Sequence, residues 1–303
     1  MPSFTRRRFL SIAAGLPALA ALPARAADLY RWHGIALGAE AEILLAHPDA
    51  PAITARAAAE IDRLEGIFSL FRADSALSRL NATGTLEAPP FELLQCLALS
   101  GRAHAATAGL FDPTVQPLWA LYATRYAAGG SPSAQDLTET LAQVGWQGVT
   151  LDEARITLRP GMALTLNGIA QGFIADKVAD LLRAEGLTDV FVNTGEMRAL
   201  GHAPDGAPWP VHLTTGGLVP LANRSLASSS ALGTTFDQAG SVGHILHPLT
   251  GLPAQPRWKL VSVSAPSAAV ADALSTAACL MPDRASVEAA LQAFDGARLE
   301  NLA

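Results

Sequence analysis

Asp272 and Thr276 stand four residues apart in Ala271-Asp272-Ala273-Leu274-Ser275-Thr276. On a helix that spacing sets a carboxylate and a hydroxyl on one face, one turn apart. Both are hard oxygen donors, which Mg²⁺ accepts while keeping its other positions for water or substrate phosphate. A plainer reading stands beside this one: Asp272 complements the helix dipole and Thr276 bonds back to its own helix. His244 and His247 lie in His244-Ile245-Leu246-His247-Pro248-Leu249-Thr250-Gly251, a predicted turn. A histidine titrates near neutrality and suits the removal of a proton from a hydroxyl nucleophile, although surface histidines without a role are common.

Two loops have the composition of ligand contacts. Leu166-Asn167-Gly168-Ile169-Ala170-Gln171-Gly172-Phe173 passes from a predicted strand into a predicted helix. Its glycines let a ligand approach the backbone and the helix N-terminus favours phosphate, yet turn geometry alone also explains them. Gly109-Leu110-Phe111-Asp112-Pro113-Thr114 either presents backbone donors and one acceptor to a ligand ring or simply starts a turn at its Asp-Pro pair. Phe71, in Phe68-Ser69-Leu70-Phe71, suits stacking on a flat ring or packing in a core.

The elements that must position these groups are read from periodicity. Ile53, Ala57, Ile61, Leu64 and Phe68 recur at helical steps, predicting a helix over 51–68. A second helix spans 90–108 and is ended by Gly109, and Ser133 with Asp136 forms a capping box for a third, closed at Gly145. Segments 149–151 and 156–158 alternate across a polar turn and predict a hairpin. A short strand is expected over 163–166, then a helix over 169–185 stopped by Gly186. Strands follow at 190–193, 211–214, 218–221 and 259–263, with 201–210 as a surface loop. Ser267 caps a helix running to Met281, and a last helix covers 287–294. The mixture predicts an α+β fold with a mixed, largely antiparallel sheet and flanking helices.

The N-terminus reads as a targeting segment. Thr5-Arg6-Arg7-Arg8-Phe9-Leu10 is a twin-arginine run, followed by an apolar stretch to Leu22 and by Ala24-Arg25-Ala26. This is the order of a bacterial export signal over residues 1–26, and its apolar stretch is too short to span a bilayer. Without it the chain keeps 17 basic residues against 27 acidic ones, a balance that excludes an ordinary nucleic-acid binder. Cys96 and Cys279 are the only cysteines; core packing and a bridge both remain open, and no zinc-type cluster accompanies them.

Taken in order, these stretches resemble the ApbE family, the FAD:protein FMN transferases. The resemblance rests on Leu37-Gly38-Ala39, Phe68 to Phe71 with Asp74-Ser75 and Leu80-Asn81, Gly109 to Thr114, Asn167 to Asp176, His244 to Gly251, and Ala271 to Thr276. It implies a two-lobed, T-fold-related architecture over 27–303, with FAD as substrate and Mg²⁺ as cofactor. Asp272, Thr276 and a backbone carbonyl at Gly168 would hold the ion. Leu37, Phe71, Leu110, Phe111, Asp112, Thr165 and Gln171 fall at FAD-binding positions, and His244 at that of the base. The implied partner is a periplasmic or membrane-associated flavoprotein with an exposed Thr/Ser motif; contact with the membrane itself is expected only through an uncleaved signal.

The chain departs from the family pattern at several places. Thr165 replaces an aspartate, Gln171 a lysine or glutamate, and Leu249 an arginine; Thr194-Gly195-Glu196 replaces Gly-Gly-Asp and Ser228-Ser229-Ser230 replaces Thr-Ser-Gly. These changes keep three rival functions in view: an FAD binder without transfer, a Mg²⁺-dependent FAD pyrophosphatase giving FMN and AMP, and a periplasmic binder of some other ligand.

Overall fold

The computed structural model describes residues 29–303, so the export signal read over 1–26 lies outside the described residues. The first half of the chain forms β1 (Tyr30–Ala36), β2 (Ala39–Leu45), α1 (Ala50–Phe68), α2 (Ala76–Thr83), β3 (Thr85–Glu87), α3 (Phe91–Ala106), α4 (Gln116–Ala127), α5 (Ala134–Leu141), β4 (Val149–Leu151) and β5 (Arg155–Leu158). The second half forms α6 (Ala170–Ala184), β6 (Val190–Asn193), β7 (Met197–Leu200), β8 (Trp209–His212), β9 (Leu218–Leu221), β10 (Ser225–Ser229), β11 (Val261–Ala265), α7 (Ala268–Ala278), α8 (Arg284–Leu291) and β12 (Arg298–Leu302).

Period-two alternation builds the main sheet, ordered β1-β2-β6-β7-β10-β11-β12 with antiparallel pairings throughout. On β2, Ile43 and Leu45 enter one core while Leu44 enters another; on β6, Val190 and Val192 part from Phe191 in the same way. The larger core lies under α1, α6 and α7, and the hairpin β8–β9 covers the opposite face with Trp209, Val211, Val219 and Leu221. Burial on both faces explains why β6 reads as an unbroken apolar run rather than an alternation.

The crossing of α6 and α7 is the closest approach in this core. A Cβ built on Gly172 of α6 would lie 2.3 Å from the Ala268 carbonyl oxygen and 2.7 Å from the Ala269 nitrogen, so only glycine lets the first turn of α7 rest there. Asp176, one turn further along α6, accepts from Ser267 Oγ at 2.7 Å, from the Ala268 N–H at 2.8 Å and from the Ala269 N–H at 3.1 Å. Ser267 Oγ in turn accepts from the Val270 N–H at 3.3 Å. The first three amides of α7, which have no partner inside the helix, are thereby satisfied.

Several expectations need correction. Residues 163–166 are not a strand: the amide and carbonyl of Leu164 are taken by the Asn81 side chain at 2.7 and 2.8 Å, and the Thr165 N–H donates to Pro113 at 2.8 Å. Those bonds replace a ladder. The capping box at Ser133 and Asp136 is present, but α5 ends at Leu141 and leaves Gly145 in a separate turn. The expected strands at 211–214 and 259–263 sit two residues earlier and two later, and 201–210 runs into β8, whose Trp209 is buried. The 149–158 hairpin forms and is extended by β3.

Gly172→Ala should lower unfolding stability by about 3 kcal/mol in urea titration, because the new methyl meets backbone rather than a flexible side chain. Gly66→Ala in α1 meets nothing within 4 Å and should instead raise stability by about 0.5–1 kcal/mol. Equal effects at the two sites would contradict the close crossing.

Candidate active site

Two adjoining chambers open beside the start of α6, the end of β10, α7 and the segment 230–246. The larger encloses about 400 Å³ and the smaller about 120 Å³, and Trp119, Asn167, His244, Ile245 and Thr276 wall both. Leu37, Phe71, Gln171 and Asp272 line the larger chamber; Leu110, Phe111, Asp112, Thr165 and Gly168 line the smaller. The structure thus brings together the residues singled out above for metal, flavin or proton chemistry, except His247, which lines neither chamber.

The corner around Thr276, where the two chambers adjoin, has the donors for a small hard cation. Asp272 is buried on α7 and its Oδ2 accepts from the Gly172 N–H at 3.3 Å. Thr276 follows one turn later, with Ser229 Oγ 3.4 Å from its hydroxyl. A Cβ on Gly168 would stand 3.1 Å from Thr276 Oγ1, so the glycine leaves its backbone close to that hydroxyl. Carboxylate, hydroxyl and peptide oxygen form a hard set with room for further ligands, which fits Mg²⁺. Cys96 and Cys279 are free, buried thiols that burial keeps protonated. Among the described residues, no three His, Cys, Asp or Glu side chains converge on a metal site.

Sequence reasoning missed Glu196, which lines the larger chamber together with Asp272. It is 7% exposed and closes the tight turn Thr194-Gly195-Glu196 before β7. Thr194 Oγ1 donates to the Gln171 carbonyl at 2.8 Å, and the Gln171 amide covers Gly195, where a Cβ would come within 2.4 Å of its nitrogen. This clamp ties the β6–β7 turn to the start of α6. Burial pushes the pKa of Asp272 up, and burial followed by repulsion from Asp272 pushes that of Glu196 well up. The only trace in the sequence was the departure from Gly-Gly-Asp at this turn.

His244 is held in one tautomer. Its Nδ1 lies 2.9 Å from the Thr234 carbonyl oxygen, which can only accept, so Nδ1 carries the hydrogen and Nε2 keeps its lone pair. Burial lowers its pKa from 6.5 and the Thr234 bond opposes this, leaving a neutral imidazole at physiological pH. An aromatic cluster steadies its segment: Phe236 lies 5.4 Å from Trp119 and 5.3 Å from Tyr122 of α4.

The remaining residues differ in what their side chains offer. Leu37 and Gly38 form the β1–β2 turn with φ of +49° and +87°, an unusual conformation for leucine that places it at the cleft. Its N–H donates to Glu65 at 2.6 Å, and Glu65 also pairs with Arg72, beside the exposed Phe71. Asp112 spends its carboxylate inward, accepting from the Thr114 N–H and hydroxyl at 2.8 and 2.6 Å and from the Trp146 N–H at 3.2 Å. The turn-starting reading of Asp112 therefore accounts for its side chain, although the residue also lines the smaller chamber. Thr165 Oγ1 accepts from the Asn167 N–H at 3.3 Å. Leu249 is 73% exposed and lines neither chamber, so its replacement of an arginine does not alter their walls. His247 accepts at Nδ1 from the Leu249 N–H and shapes its own turn.

The buried acids set a sign for stability against pH. Their folded pKa values lie above the ordinary carboxylate range, so the folded chain holds protons that the unfolded chain has lost. Their contribution to stability is lost as pH rises, and the melting temperature in EDTA should fall between about pH 5 and pH 8. Mg²⁺ should restore it, and Asp272→Asn should flatten the slope. Identical slopes for the two proteins by scanning calorimetry would contradict the shift.

With this geometry in hand, the comparisons with known proteins are specific. A sequence model described as the ApbE family matches residues 37–297. The FAD:protein FMN transferase of Haemophilus influenzae is 31% identical over 244 residues, covering 73% of this chain and 70% of that one. That of Vibrio cholerae is 30% identical over 243 residues, covering 73% and 72%. The apo flavinyl transferase ApbE of Pseudomonas stutzeri superposes with a TM-score of 0.78 at 26% identity, covering 87% and 88% of the two chains. The ApbE protein of Thermotoga maritima gives 0.79 at 26% identity, covering 91% and 96%. The chain belongs to the ApbE family.

Proposed function

We propose that this chain is a transferase that moves FMN from FAD to a serine or threonine hydroxyl of an acceptor flavoprotein and releases AMP. The observation that carries the reading is the meeting, in one cleft, of the buried Asp272–Thr276 oxygen pair with a neutral histidine of fixed tautomer. Relatives named FAD:protein FMN transferase support the reaction class. Asp272, Thr276 and the Gly168 carbonyl would hold Mg²⁺, which when bound neutralises charge on the pyrophosphate.

The chain's own residues supply positioning and the proton path. The acceptor oxygen attacks the phosphorus on the FMN side while its proton passes to His244 Nε2. The bond from that phosphorus to the bridging oxygen breaks, and AMP leaves carrying the oxygen. Leu37 and Phe71 hold the flavin ring at the mouth, Gln171 holds the β6–β7 turn, and Leu110 to Asp112 with Thr165 shape the second chamber. The twin-arginine run supports a periplasmic site for the reaction, with an acceptor that displays its hydroxyl there.

The test incubates the protein with FAD, Mg²⁺ and a candidate acceptor domain and looks for flavin fluorescence on that domain in a denaturing gel. Labelling that EDTA or Asp272→Ala abolishes is the expected result; free FMN and AMP with a dark acceptor band would make the chain a pyrophosphatase. His244→Gln should bind FAD nearly as well as the parent and slow transfer by about 10²–10⁴-fold. The parent's rate should fall on the acid side, with its midpoint below 6.5 because burial depresses this histidine. A variant with the parent's rate and acid limb would remove His244 as the base.

A further inference from the structure

A chain of hydroxyls links α7 to the end of β10, and its hydrogen bonds run in one direction. Ser275 Oγ donates to the Asp272 carbonyl oxygen at 3.1 Å; a carbonyl can only accept, so the one hydrogen of Ser275 is spent there. Ser229, the last residue of β10, has its Oγ 2.7 Å from Ser275 Oγ and must therefore be the donor of that pair. Both serines are buried. The lone pairs left on Ser229 face Thr276 Oγ1 at 3.4 Å. Among the described residues, the Thr276 hydroxyl has Ser229 as its one hydrogen-bond partner. Ser275 already holds the Asp272 carbonyl, to which a threonine four residues on would otherwise bond back.

Resting on the transferase reading above, in which Thr276 is one of the oxygens that would hold the divalent ion, we propose that Ser229 is a positioning residue for that hydroxyl. It takes the Thr276 hydrogen and so turns the lone pairs of Oγ1 toward the cation corner. At 3.4 Å the contact is longer than a relaxed hydroxyl pair, so it supplies direction more than strength. A hydroxyl whose hydrogen points into the corner repels a cation, whereas one whose hydrogen points at Ser229 offers it a lone pair. Strand alternation makes Ser229 available for this. Ser228, its neighbour, pairs with Ser262 across the sheet at 2.8 Å, which leaves Ser229 to face α7. On the other side of Thr276, a Cβ on Gly168 would stand 3.1 Å from Oγ1, so the hydroxyl is confined between β10 and the start of α6. Its direction is set before a ligand arrives, which spares binding the cost of ordering it.

The test is a double-variant cycle on Mg²⁺ affinity, measured by calorimetry on FAD-free protein. Ser229→Ala should weaken binding about 10-fold, the low end of what a metal site loses with a supporting group. Thr276→Val removes the hydroxyl, keeps the branched shape and should weaken binding at least as much. The double variant should bind no more weakly than Thr276→Val alone, because Ser229 acts only through that hydroxyl. Ser262→Ala breaks a buried serine pair of the same sheet, and it should lower the melting temperature while leaving Mg²⁺ affinity at the parent's value. Parent-like affinity in Ser229→Ala, or two single effects that multiply in the double variant, would overturn the proposal, as would a parent that takes up no Mg²⁺. The expected cycle together with an acceptor that stays unlabelled would instead remove the transferase reading and leave the role of Ser229 standing.

Discussion

The seat of α7 on α6 is the constraint on which the site depends. Gly172 removes the one methyl that would hold the helices apart, and Asp176 takes the two leading amides of α7 that the helix cannot satisfy itself. The same contact places the Gly172 N–H on Asp272. Because Asp272 and Thr276 lie on one face of α7, fixing its first turn fixes both against Gly168 at the start of α6. Helix capping and the geometry of this oxygen corner are here one arrangement, and a shift of α7 would move Asp272 and Thr276 together away from Gly168.

The electrostatics of the cleft follow from what the helices enclose. A buried carboxylate normally finds a guanidinium, an ammonium or several strong donors. Asp272 accepts from one backbone amide and faces a second acid instead. Elsewhere the protein pairs its acids readily, as with Arg56 and Glu185 or Arg63 with Glu60 and Glu92. The contrast sets the Asp272–Glu196 corner apart from the structural ion pairs of the surface.

The histidine of the cleft comes from a less regular part of the fold. His244 lies on a segment whose own backbone pairing is confined to isolated bridges, and its support comes from the stacked rings of Tyr122, Tyr126 and Phe236 with Trp119 edge-on to Phe236. This small aromatic core is separate from the two cores that pack the main sheet. The His244 segment bridges two cores: Ile245 packs in the larger one with α6 and α7, and Leu246 packs in the aromatic one.

Sequence alone determined what depends on neighbours a few residues away. The helical period of 51–68, the capping box at Ser133, the cap at Ser267 and the four-residue spacing of Asp272 and Thr276 are local properties, and they appear where the sequence placed them. The ordered motifs also named the family, because they keep chemistry-bearing residues at recognisable separations. Other features rest on distant partners. β1 and β2 were not foreseen because Leu37 in a left-handed turn carries no turn signal; Glu65, 28 residues away, takes its amide. Residues 163–166 resemble a strand until Asn81 supplies the partners that a neighbouring strand would have given. Glu196 looked like a variant turn residue, and only the packing of that turn on α6 buries its charge beside Asp272. Tertiary structure decided these points because burial and electrostatic coupling depend on which distant segments meet, and local sequence patterns do not specify that meeting.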